Sequence, residues 1–411
     1  MKIKKVLGSV LKKVSLSDAE SEALLKKASE FVSSLRKDAG LRAFVGGSLA
    51  KGTLVRKRGK QDVDVFVVYD SEEEVSGLEK SLKKVKIDGE MRRVHGSRDY
   101  FQIEFSEVVM EVIPVVKVTN PELSENVTDF SLSHVRYVLG KIKKNKRLAE
   151  EIRLAKAFCQ SQRCYGAESY IQGFSGYALE VLVIYFGSFL KFLKKISRKN
   201  VIDPERYFRG EREIMRELNT SKTRGPVVLV DPTYKYRNVT AGLSLETFEK
   251  FLRASEEFFE KPSEEFFYER DFNLEKFKRI VERKGSKFVE VELRTDRQEG
   301  DVAGTKMKKF FDFFCFELER KKQRIVLKEF VYSGNGMHAK GYLGVVERPE
   351  IEVKGPSVGL EEAARDFCKN RKSKVYQRGG SYWCREKVSI GDIFKNSLRV
   401  EKEMGAGGRL V

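Results

Sequence analysis

The sequence predicts an α+β, multidomain protein, and three observations carry that expectation. The chain has 411 residues, too many for one ordinary core, which implies about two to four domains. Short strand-like runs fill its first part, separated by glycine-rich or charged connections. From Ser133 onward, apolar residues fall instead at helical spacing.

Taken in order, Ser17 followed by Glu20 makes a capping box, and Leu24, Leu25, Ala28, Phe31, Val32 and Leu35 recur at helical spacing as far as Gly40. Leu41 to Val45, Val63 to Tyr69, Tyr100 to Phe105 and Val108 to Val116 read as strands, so residues 1–130 form a first, sheet-containing domain. Residues 131–260 read as a helical central domain, in which Leu148 to Gln162 is amphipathic. Gly176 to Leu193 is nearly apolar all round, as a helix in a domain centre should be. Residues 261–411 mix both periods: a helix and an alternating strand over Phe277 to Arg297, then two strand runs flanking the turn Gly334-Asn-Gly336. Gly405 to Gly408 reads as a flexible tail.

Composition narrows the partners. Eighty Lys and Arg against 61 Asp and Glu give a formal charge of +19. Such an excess favours a polyanion, nucleic acid first, through attraction and counterion release. The cysteines Cys159, Cys164, Cys315, Cys368 and Cys384 form no close pairs and only three histidines exist to help them, which argues against a zinc site or a disulfide framework. The basic start lacks the sustained apolar stretch of a signal peptide, and Val181 to Leu190, the longest apolar run, is about half what a membrane-spanning helix needs. The expectation is a cytoplasmic protein without a membrane partner.

Chemistry enters with the carboxylates. Asp62 and Asp64 stand two apart in a strand, so both side chains face one site while Val63 and Val65 face the core. Glu111 interrupts the apolar run Val108-Val-Met-Glu-Val-Ile-Pro114 and must find a partner there. A metal shared with Asp62 and Asp64 is one solution, and a salt bridge to a nearby base or an edge-facing position is the other. Gly46, Gly47 and Ser48 close the preceding strand and lead to Lys51 and Thr53. Glycines there let backbone N–H groups approach phosphate, Ser48 supplies a hydroxyl and Lys51 a positive charge. A turn followed by a solvated basic loop would use the same residues.

Gly47-Ser48, Lys51-Gly52-Thr53 and Asp62-Val-Asp64-Val-Phe together resemble the signature of the polymerase-β-like nucleotidyltransferases. Ser133-His134-Val-Arg-Tyr, Arg153-Leu-Ala-Lys156, Cys164-Tyr165-Gly-Ala-Glu168 and Gly173-Phe-Ser-Gly-Tyr177 are similar to the central domain of archaeal-type, class I CCA-adding enzymes. Val230-Asp-Pro232, Arg237-Asn-Val and Lys354-Gly-Pro356 continue that likeness. The resemblance implies a polymerase-β-like catalytic domain, a helical central domain and an α+β C-terminal region that grips the acceptor end and T arm of tRNA. It implies template-independent addition of C, C and A to the tRNA 3′ end from CTP and ATP by a two-metal mechanism with Mg2+. Asp62, Asp64 and Glu111 would bind the metal ions, with Glu111 also activating the RNA 3′-hydroxyl. Gly47, Ser48, Lys51, His134, Lys156 and Tyr165 would contact the incoming nucleotide, and Arg237 its base or the RNA.

One departure stands out: the family's third carboxylate is usually Asp, and Glu111 carries one more methylene. Glu104 and Glu107 are the other acids of that segment. Another template-independent RNA polymerase, such as a poly(A) polymerase, or a non-catalytic RNA-binding protein would share much of this pattern. Assembly as a homodimer is also left open.

Overall fold

The computed structural model describes residues 2–96, 98–118, 126–269, 271–296, 299–369 and 373–411. The chain divides into two compact units, Met1–Glu269 and Arg270–Val411.

The first unit opens with helix α1, Lys2–Val14, which the lysine-rich start concealed. Its buried residues Leu7, Val10 and Val14 fall at helical spacing and join the core of the later helices rather than that of the sheet. Helix α2, Asp18–Ala39, starts on the expected capping box of Ser17 and Glu20 and stops where Gly40 adopts φ 67°. Strand β1, Arg42–Val45, then leads into a single turn of helix α3, Gly47–Ala50.

Strand β2, Gln61–Tyr69, is rich in β-branched residues and includes both Asp62 and Asp64. Short helices α4, Glu72–Val75, and α5, Leu78–Leu82, are followed by strands β3, Glu90–Val94, β4, Tyr100–Glu104, and β5, Val108–Val116. The sheet order is β1-β2-β5-β4-β3, with β2 and β5 parallel and the other neighbours antiparallel. Helix α2 covers one face, where Ala28, Phe31, Val32 and Leu35 share a core with Val63, Val65, Ile103, Met110 and Val112.

The central part is built on α6, Ser131–Lys144, α7, Arg147–Ser161, α8, Gly176–Phe186, and α9, Phe189–Lys195. The single apolar helix expected over 176–193 is thus two helices. Gly187 at φ 81° ends the first, Ser188 caps the second, and they meet at 91°. Both contribute to a phenylalanine-rich core with α7. Among the described residues no single helix is long and apolar enough to cross a membrane. This part also holds a small sheet that the helical reading left out: β6, Val201–Ile202, helix α10, Glu211–Glu217, then β7, Val228–Asp231, and β8, Tyr234–Asn238, in the order β6-β7-β8. Helix α11, Leu245–Glu260, closes the unit.

The second unit contains α12, Leu274–Arg283, β9, Lys287–Arg294, α13, Gly300–Arg320, β10, Arg324–Val331, and β11, His338–Val346. The helix and strand expected from Phe277 onward are present, although Arg297 itself lies outside the described residues. Strands β12, Glu350–Ser357, β13, Val375–Arg378, and β14, Ser381–Lys387, make a separate three-stranded sheet, with helix α14, Glu361–Lys369, between β12 and β13 in the chain. Helices α15, Ile390–Ser397, and α16, Glu401–Met404, precede β15, Gly407–Leu410. The glycine stretch read as a tail is therefore in part an edge strand, with Gly407 and Gly408 paired to Arg294 and Leu293 of β9. Gly408 fits because a Cβ there would lie 2.3 Å from the Glu292 carbonyl oxygen.

Candidate active site

Alternation along β2 puts Val63 and Val65 in the core and leaves Asp62 and Asp64 half-buried on the opposite face. Parallel pairing sets Asp64 beside Glu111 of β5, and Gln102 of β4 completes the row. The Gln102 side-chain amide donates to Glu111 at 2.8 Å. Glu104 lies two strands from Asp62 with its carboxylate on Lys60 at 2.6 Å, and Glu107 is exposed. Glu111 is thus the acid that stands next to Asp64.

This row gathers acidic groups whose neighbouring cations offset burial only in part. Burial pushes the Asp64 carboxyl above its ordinary range, Lys51 opposes the rise and Asp62 adds to it. Burial and the neighbouring Asp64 push Glu111 up to about 7, against the Gln102 hydrogen bond. Lys57, from the basic loop before β2, forms an ion pair with Asp62, while Gln61 holds that loop through both the N–H and the carbonyl of Lys57. Among the described residues no three His, Cys, Asp or Glu side chains already converge as a metal-binding group. The chemistry of the donors, carboxylate oxygens on one face of the sheet with Asp64 and Glu111 pushed toward protonation mainly by burial, nonetheless fits a hard divalent cation.

The glycines of the cradle first serve the strand beside them. A Cβ on Gly46 would stand 2.1 Å from the Phe66 ring, and one on Gly47, at φ 58°, 1.5 Å from Asp64 Oδ2. The Gly46 N–H donates to the Asp64 carbonyl at 2.8 Å. Only glycine lets the loop pass this close, and the result sets half-buried Ser48 directly after the residue that touches Asp64.

Beyond Ser48 the chain delivers Lys51 and Thr53 to a buried network. Lys51 Nζ donates to Glu180 Oε2 at 2.7 Å, and Lys156 Nζ and Thr53 Oγ1 each donate to Glu180 Oε1 at 2.8 Å. Burial pushes the Glu180 carboxyl up, but Lys156 and Lys51 outweigh that and hold it at about 2. Burial lowers the Lys156 ammonium, with Glu180 resisting. Tyr165, joined to Phe174 by an isolated bridge, points its hydroxyl to the same place: a Cβ on Gly176 would lie 2.8 Å from it.

A second cluster forms around Asp231, which is fully buried. Its carboxylate accepts from Arg237 at 2.7 Å, from the Tyr177 hydroxyl at 3.0 Å and from the Thr233 N–H at 2.8 Å, and lies 3.2 Å from His134 Nε2. Burial pushes Asp231 up, yet His134 and Arg237 hold it well below the carboxylate range. The His134 ring stacks on Tyr177 at 3.7 Å between centroids, and burial lowers its proton affinity. The structure thus brings Lys51, Lys156 and Tyr165 together and places His134 with Arg237 in a neighbouring group. Sequence reasoning assigned no role to Glu180, Asp231 or Tyr177. Glu180 did leave a signal, as the one acid in the apolar stretch from Gly176 to Leu190.

Comparison with known proteins agrees with this construction. Residues 25–138 match the nucleotidyltransferase domain family, and residues 150–268 match the family of the second domain of tRNA nucleotidyltransferase. A solved structure of the Cid1 poly(U) polymerase in complex with its short product ApU, 14% identical, covers 66% of this chain and 98% of its own with a TM-score of 0.51, a likeness of fold. Sheet, cradle and matched domain define a nucleotidyltransferase. The CCA-adding enzyme of Pyrococcus abyssi is 30% identical over 86% of this chain and 79% of its own length. That of Thermococcus gammatolerans is 30% identical over 100% of this chain and 92% of its own. The match to the Nanoarchaeum equitans CCA-adding enzyme is 38% identical but spans about half of each protein, 50% and 52%. The chain belongs to the CCA-adding enzyme family.

Proposed function

We propose that this chain adds C, C and A to the 3′ end of tRNA from CTP and ATP, with Asp62, Asp64 and Glu111 holding Mg2+. The observation that carries the site is the facing of Asp64 and Glu111 across parallel strands, with Asp62 on the same face of β2. Divalent ions there would neutralise charge on the triphosphate and on the attacking hydroxyl.

The chain's own residues do the rest. Gly47 keeps the cradle against Asp64, and Ser48, Lys51, Lys156 and Tyr165 bind the triphosphate by hydroxyl and ammonium contacts. Arg237 and His134, locked by Asp231, lie by the nucleotide base or the RNA end; a planar guanidinium held in place reads hydrogen-bonding edges well. Residues 1–130 carry the chemistry, 131–260 the nucleotide and primer end, and 261–411 the acceptor end and T arm. The net charge of +19 supports a tRNA partner, and such a substrate sets the reaction in the cytoplasm.

The test is incubation with tRNA transcripts ending at the discriminator base, at C and at CC, each with single nucleotides. The reading expects two C additions to the first, one to the second, and one A with a stop on the third. Long A tails on an unstructured oligonucleotide, with CTP ignored, would replace it with a poly(A) polymerase.

A further inference from the structure

Helix α8 is apolar and buried at Leu179, Val181, Leu182 and Val183, and in their midst Glu180 has 0% exposure. A carboxylate in such a setting survives only with partners. Both of its oxygens are in use: Lys51 holds one, and Lys156 and Thr53 share the other. Thr53 also accepts from Lys156 at 3.0 Å, which closes the network. The two lysines come from different parts of the unit, Lys51 from the loop after the cradle and Lys156 from α7.

Two ammonium groups therefore face one carboxylate, and the surplus positive charge acts on Asp64, whose carboxyl feels both lysines. As simple cement the arrangement is poor, since well-packed apolar residues of similar volume are usually as stabilising as a buried ion pair. Its distinctive product is a pair of fixed cations beside the cradle.

We propose that Glu180 is a positioning residue that holds Lys51 and Lys156 side by side, so that the triphosphate of the incoming nucleotide meets two preorganised cations. The proposal rests on the nucleotidyl-transfer reading above. Glu180 itself touches neither nucleotide nor RNA. Without it the lysines repel each other and leave the position in which both can reach the phosphates.

The experiment compares the full-length wild type with Glu180→Gln, Glu180→Asp and Thr53→Val. It measures the affinity for a non-hydrolysable CTP analogue with Mg2+ by calorimetry, KM and kcat for CTP, tRNA affinity and Tm. Glu180→Gln should weaken analogue binding by about tenfold or more and raise KM in step, with tRNA affinity unchanged. Glu180→Asp should recover part of the loss. Thr53→Val, which keeps the side-chain volume and removes the hydroxyl that joins Glu180 to Lys156, should weaken analogue binding about threefold. Unchanged analogue affinity in folded Glu180→Gln overturns the proposal, as does an equal loss of analogue and tRNA binding. If Glu180→Gln does not fold, Thr53→Val decides, and unchanged analogue affinity there overturns it. A wild type that incorporates no nucleotide takes down the nucleotidyl-transfer reading itself, whereas an active wild type with indifferent variants removes only the role of Glu180.

Discussion

Asp64 and Glu111 are register partners across the parallel pair of β2 and β5, and burial holds both carboxyls above their ordinary range, with Asp64 adding to the rise at Glu111. If this row holds the catalytic cations, Asp62→Ala and Asp64→Ala should each lower incorporation about a thousandfold or more with folding intact. Glu111→Gln should abolish turnover, whereas Glu111→Asp should retain it. Near-wild-type rates for Glu111→Gln would move the third ligand elsewhere.

The same row should cost the protein stability. A carboxyl whose folded pKa lies above its unfolded value, as for Asp64 against 3.8, destabilises the fold wherever it is ionised. Asp64→Asn should therefore raise Tm at neutral pH in a chelating buffer while removing activity, and the gain should shrink as the pH falls through the raised folded pKa. An unchanged or lower Tm in thermal denaturation would show the charge to be compensated already.

Glu180 has the opposite sign. Its folded carboxyl sits at about 2 against 4.5 unfolded, so its contribution to stability is complete above 4.5 and lost as the pH falls toward 2. Asp231, also held below its ordinary range, acts in the same direction. Acid unfolding followed by circular dichroism should steepen across that interval, and the slope should be shallower in Glu180→Gln.

The sequence revealed Asp62 and Asp64 because a period of two is local: the strand alone decides that both face one way. The capping box of α2 was equally legible, because Ser17 and Glu20 lie within one turn. Helix α1 was hidden by lysines that mask Leu7, Val10 and Val14, although their spacing is helical. Glu180 could not be assigned from the sequence, since its partner Lys51 lies 129 positions away and only the fold joins them. The same holds for His134 and Asp231, which are 97 positions apart. The glycines of the cradle were legible, but their immediate duty, clearance for Asp64 and Phe66, arises only where the fold lays the loop against β2.

Gly47→Ala tests that duty. A Cβ there meets Asp64 Oδ2 at 1.5 Å, and φ 58° disfavours any L side chain by about 1–2 kcal/mol. The Asp64 carboxylate would have to swing away, so activity should fall at least about a hundredfold, since displacements on the order of 1 Å have that effect on catalysis. Gly52→Ala is the control. Gly52 has φ 65°, but a Cβ there meets nothing within 4 Å, so it carries the backbone strain alone and should keep far more activity.

Lys57 offers the last test, because its ammonium sits on Asp62 and also draws down the carboxyls of Asp64 and Glu111. It thus occupies, with a single positive charge, part of the field that a divalent ion would need. The Lys57 side chain is 43% exposed, so the pair contributes only about 0.2–1 kcal/mol. Lys57→Ala should then tighten Mg2+ binding by roughly one and a half to fivefold, lower the Mg2+ concentration for half-maximal activity by the same factor, and lose this advantage at high salt. Isothermal titration with Mg2+ measures the affinity without turnover. If Lys57 instead holds the nucleotide or the RNA end, the substitution leaves Mg2+ affinity alone and raises KM, and the competition between lysine and metal is ruled out.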